Sequence, residues 1–154
     1  MKYTLEQFSS GMHYILIDDK VANRLLINDN KRAICKLNDE IEFHCALMKK
    51  KEGGYFINIG SAICKKLKIK KGSLVIATFK IDKSKYQFEI PEEFEEVLKT
   101  DKKANSTFEN LTDGNKRGII YLVSKVKSVE KRIEKSLRIA EYLKTGITSP
   151  RQMK

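Results

Sequence analysis

The spacing of apolar residues changes once along this chain, and that change constrains the fold more than any other feature. Up to Ile90 the apolar positions alternate or run in short β-branched stretches. Beyond Pro91 they recur three and four residues apart. A chain patterned in this way is α+β, with its strands and helices segregated along the sequence.

Residues 31–37 and 41–48 make the clearest pair of strands. Ala33, Cys35 and Leu37 share one face, while Ile41, Phe43, Cys45 and Leu47 alternate with Glu42, His44, Ala46 and Met48. A hairpin through Asn38-Asp39-Glu40 sets Leu37 against Ile41, Cys35 against Phe43 and Ala33 against Cys45. That register keeps both apolar sets on one face, and a slip of one residue exposes one of them. Residues 49–54 read as a charged turn into a third strand of the same meander, 55–59. Residues 12–17 read as an earlier strand, and Asp19 as the cap of a short helix over 20–27. Ser61 is expected to cap a helix over 62–67. Residues 73–81, apolar on both faces, read as a central strand, and 86–90 as a short final one.

The helical half begins at Pro91, a residue suited to a first turn, and Glu92, Glu93, Glu95 and Glu96 crowd its positive dipole end. Phe94, Val97 and Leu98 form its buried stripe. A second helix over 102–111 buries Ala104, Phe108 and Leu111, and Thr112-Asp113-Gly114 is a break and a cap. Ile119, Leu122, Val123 and Val126 then repeat at helical spacing, as do Val129, Ile133, Leu137, Ala140 and Leu143. Gly146 closes the last helix, and 147–154 read as a frayed, flexible tail.

The 154 residues are enough for a sizeable core. No stretch approaches the ~20 apolar residues of a membrane span, and Met1 to Ser10 lack the apolar run of a signal peptide. Cys35, Cys45 and Cys64 have no CxxC spacing and sit in apolar patterns, as buried reduced thiols do. These features point to the cytoplasm. The formal charge of +11 is unevenly placed. Residues 49–71 carry eight lysines against one acid, and residues 113–154 carry eleven Lys/Arg against four acids. Two such blocks on a near-neutral scaffold make either an anion-binding face or simply a solvated surface.

Catalytic machinery is hard to find. The glycines at 53, 54, 60 and 72 have no phosphate-loop spacing. The glutamates at 92, 93, 95 and 96 are explained by the helix dipole. His44 points away from the face of Cys35 and Cys45, which argues against a shared metal site. Cys64, near a helix start and beside Lys65-Lys66, is the only nucleophile candidate, with plain burial against Ile63 and Leu67 the better reading. No cofactor is expected. The basic C-terminal set is the strongest constellation: Lys131, Lys135 and Arg138 share a helical face, with Arg132 beside it and Lys125 and Lys127 upstream. Lys49, Lys50 and Lys51 make a second candidate phosphate loop.

Several phrases carry a resemblance. Gly11-Met12-His13, Phe43-His44-Cys45-Ala46, residues 54–60, residues 66–72 and Ile90-Pro91-Glu92-Glu93 resemble a bacterial β-domain of unknown function. That domain precedes the helical domain of the bacteriocin-protection, YdeI/OmpD-associated family. The helical domain is similar to residues 94–146, through residues 108–112, 124–128 and Arg132-Ile133. The resemblance implies an AbrB/MazE-like double-split β-barrel over residues 11–91, a helical YdeI/OmpD-associated domain over 92–146 and the tail over 147–154. Tyr121-Leu122 and Lys131 depart from the family pattern, which often has Trp and Thr there. The expected function is a non-catalytic binding protein of the bacteriocin-protection or stress type, with a basic face toward an anionic partner. The alternative is an AbrB-like nucleic-acid-binding regulator. A nucleic acid, another polyanion or a protein is the partner expected, with the oligomeric state open.

Overall fold

The computed structural model describes residues 1–154, which form two compact units, Met1–Lys83 and Ser84–Lys154. The chain is α+β, with six α-helices and two antiparallel four-stranded sheets.

The first unit runs β1 (Lys2–Thr4), β2 (Glu6–Gln7), β3 (His13–Ile17), α1 (Asp19–Leu25), β4 (Arg32–Leu37), β5 (Ile41–Ala46), β6 (Met48–Lys49), β7 (Tyr55–Ile59), α2 (Ser61–Leu67) and β8 (Leu74–Ile81). One sheet has the order β1-β8-β4-β5 and the other β2-β3-β7-β6, and the pairings do not close a barrel. The β4–β5 hairpin has the register its alternation requires: Leu37 opposite Ile41, Cys35 opposite Phe43 and Ala33 opposite Cys45. Its turn places Asn38 and Asp39 at φ 53° and 56°, a left-handed conformation that Asn and Asp tolerate. The Asn38 side chain then accepts from the Ile76 backbone N–H at 2.8 Å, tying the hairpin to β8. Ile15, Leu37, Ile57 and Ile59, among the buried residues of this unit, are at most 1% exposed. Each such burial contributes about 1.5–3 kcal/mol.

Five sequence expectations are corrected here. Residues 1–10, read only as lacking a signal, supply β1 and β2. Residues 41–48 are not one strand: buried Leu47 marks the crossing from the first sheet to the second, so β7 pairs with β6 and β3 rather than with β5. Leu47 keeps the alternation in phase through the crossing, which hides it in the sequence. Strand β8 is central in its sheet but buried on one face only, with Leu74 68% and Ile76 47% exposed. Helix α1 is capped by Asp18, whose carboxylate accepts from Val21 N–H at 3.0 Å, and α2 starts after Gly60 with no side-chain cap.

The second unit runs α3 (Glu92–Thr100), α4 (Lys102–Glu109), α5 (Asp113–Ser124) and α6 (Val129–Lys144). Each of the last three is capped by the residue before it: Asp101, Thr112 and Ser128 accept from Ala104, Asn115 and Lys131 N–H at 3.1, 3.3 and 3.1 Å. Asp101 also holds Lys144 at 2.8 Å, fastening the start of α4 to the end of α6. Gly146, at φ 89°, closes α6 with Ile147 N–H donating to Tyr142 O at 2.9 Å and Gly146 N–H to Leu143 O at 3.3 Å.

Two further readings are corrected. Residues 86–90 are not a strand, because Gln87 sits at φ 54°. Tyr86, Phe88 and Ile90 instead pack on the helical core, and the Tyr86 hydroxyl donates to Glu109 at 2.7 Å. The segment read as a frayed tail makes a 3-10 turn over Pro150–Met153, with the Met153 side chain fully buried. Apolar side chains three residues after a proline can dock like this without any periodicity to announce them.

Candidate functional site

Helix α6 carries four of the basic candidates, and its rotation decides which are free. The sequence places Val129, Ile133 and Leu137 inward. The structure leaves them 55%, 42% and 53% exposed and buries Ser136, Ile139, Ala140 and Leu143. Both sets obey helical spacing, and over the first two turns the sequence favours the more apolar one. The inward positions there belong to Arg132 and Ser136, whose polar groups find internal partners: the Ser136 hydroxyl donates to Arg132 O at 2.7 Å.

Arg132 is the hub of this end of the helix. Its Nε donates to Glu93 at 3.0 Å, and its Nη1 donates to the carbonyls of Val126 and Lys127, both at 2.9 Å. The guanidinium thus joins α6 to α3 and to the segment after α5. Backbone N–H donation at the start of α3, then the Arg132 guanidinium, holds the Glu93 carboxyl below its usual range. The pair lines a cleft of about 620 Å³, together with Glu89, Glu92, Glu95 and Ser124. Sequence reasoning missed Glu93 as a partner of Arg132, because the two are 39 positions apart.

Lys135 behaves differently. Its ammonium donates to the Met153 carbonyl at 2.7 Å. Burial, then the charges of Arg138 and Lys125, push its pKa below the ordinary lysine value. Three of the candidates, Lys125, Lys135 and Arg138, therefore share one neighbourhood. Lys125 also lies 5.9 Å from the ring of Tyr121, which is half exposed. Lys127 and Lys131 are exposed. In the first unit, Lys49 ends β6, Lys50 lies 5.2 Å from the Tyr14 ring, and Lys51 is exposed in the following turn.

The remaining candidates are quiet. All three cysteines are buried and unpaired. Burial raises the Cys64 thiol, pushes Cys45 up to about 12 and carries Cys35 higher still. His44 bonds through Nδ1 to Asp82 at 2.5 Å, and Asp82 is only 2% exposed. Asp82, the residue just past the end of β8, was not singled out in the sequence. No group of three or more His, Cys, Asp or Glu side chains could hold a metal ion. No helix is long and apolar enough to cross a membrane.

A two-sheet unit and a four-helix unit define an α+β protein of two compact parts, and each part has its own relatives. Residues 87–146 match the family described as bacteriocin-protection, YdeI or OmpD-associated, and residues 4–79 match a domain of unknown function (DUF1905). The C-terminal segment of the chain is therefore similar to the bacteriocin-protection, YdeI or OmpD-associated family, and the N-terminal segment to the domain of unknown function. No curated protein and no solved structure matches it.

Proposed function

We propose that this chain is a non-catalytic binding protein of the bacteriocin-protection type that engages an anionic partner through Lys125, Lys135 and Arg138. Lys131, exposed one turn before Lys135 on the same helical face, and Lys127 extend that set, while Arg132 serves structure. The reading rests on Lys135, a partly buried ammonium flanked by two cations and offered no carboxylate. Three unneutralised cations repel one another, and phosphate or sulfate oxygens relieve that repulsion.

The test is binding of labelled double-stranded DNA and RNA by the whole protein at two salt concentrations. Binding should weaken steeply with salt, and Lys125→Glu with Arg138→Glu should abolish it. Each phosphate of duplex DNA that the protein no longer neutralises lowers the slope of log K against log salt by about 0.9. Absence of binding at low salt, or an unchanged slope in the double variant, overturns the proposal.

A second reading, an AbrB-like nucleic-acid-binding regulator, is favoured by the lysines of the β6–β7 turn, of which Lys49 and Lys51 are exposed. Replacing Lys49, Lys50 and Lys51 with Ala should then reduce affinity and salt slope together.

A further inference from the structure

We propose that the exposed apolar strip of α6, with the trough beside it, receives a basic amphipathic helix of a partner protein. Of the large apolar side chains exposed in the helical unit, Val129, Ile133 and Leu137 stand in line one turn apart, and only Tyr121 lies elsewhere. The trough next to the strip encloses about 410 Å³ between α3 and α6, and Val97, Val129 and Ile133 are its apolar lining. Its remaining walls are Glu92, Glu93 and Glu96. On the far side of the strip α6 presents Glu130 and Glu134, each one residue beyond a strip position and both exposed.

The apolar floor is therefore rimmed by carboxylates along both edges, in a chain whose formal charge is +11. Glu93 is committed to Arg132, and Glu96 shares Lys99 at 3.5 Å. Glu92, Glu130 and Glu134 hold no ion pair. This pattern selects its occupant. A helix with apolar residues at i, i+3, i+4 and i+7 fills the floor, and lysines on its flanks meet the rim. A polyanion is repelled here. A second copy of the same strip would set glutamates against glutamates, because a two-fold contact presents like to like.

The probe is a short labelled peptide with leucines at i, i+3, i+4 and i+7 and lysines elsewhere, titrated with the whole protein. A scrambled peptide of identical composition is the control. The amphipathic peptide should bind about tenfold or more tightly than the scramble, with salt weakening it. Ile133→Asp and Leu137→Asp should each remove about that preference, and Glu130→Lys with Glu134→Lys should weaken binding and reduce the salt dependence. Lys125→Glu with Arg138→Glu, which disables the anion-binding ridge, should leave peptide binding intact, so the two proposals fail separately. Equal binding of the scramble overturns the inference, without recourse to any variant. So does sedimentation showing a dimer that Ile133→Asp dissociates, since the strip is then covered by a second copy.

Discussion

At Gly118, in the middle of α5, an added Cβ would meet Pro150 Cγ at 2.7 Å and Pro150 Cβ at 3.2 Å. Helix propensity alone favours alanine there by about 1 kcal/mol. The clash with the proline ring argues the other way, since displacing Pro150 also loosens buried Met153. Gly118→Ala is expected to lower stability by about 1–3 kcal/mol in chemical denaturation; a stabilised variant would mean that the 3-10 turn gives way freely. The cysteines offer a second check at this scale. With thiolate formation suppressed by burial, Cys35 and Cys45 should react with a thiol reagent at pH 8 only as fast as the protein unfolds. Burial of the cysteines was legible from the apolar pattern around each. The partners of Gly118, Asp82 and Arg132 were not, because each pairing joins positions far apart that no local period relates.

Among the elements, the β4–β5 hairpin and α6 mark the two extremes of legibility. The hairpin has one buried face and a two-residue period, so only one register hides Ala33, Cys35 and Leu37. Helix α6 has two overlapping sets at helical spacing, and hydrophobicity ranks the wrong one first over its opening turns. The observed rotation of the helix has a direct consequence. Ile139→Ala should cost about 2–5 kcal/mol, whereas Leu137→Ser should change stability by no more than about 0.5 kcal/mol. Equal losses in urea melts would return Leu137 to the core. The basic residues were legible in the sequence, but their sorting was not. Nothing in the pattern distinguishes Arg132, bound on three sides, from Lys125 and Arg138.

For the whole molecule, charge governs how stability answers to pH. Glu109 is pushed up by burial, but hydrogen bonds from Tyr86 and Lys85 outweigh this and hold its carboxyl below the usual range. Glu93 and Asp101 are lowered as well, Asp101 chiefly by the Lys144 ammonium. For each of these groups the unfolded chain binds protons more readily than the folded one. Their stabilisation is therefore complete above the unfolded carboxylate range and is lost as pH falls, between about pH 5 and pH 3. Urea midpoints should drop across that window, and Glu109→Gln should flatten the drop. An unaltered profile in that variant would remove Glu109 from the account.

Lys135 and Arg138, and the exposed Glu130 and Glu134, stand on neighbouring faces of one helix. Under the two readings proposed above, that helix would meet an anionic body with one face and a basic helix with the next. On those proposals α6 would act as a coupling piece, with each partner kept off the other's face by charge.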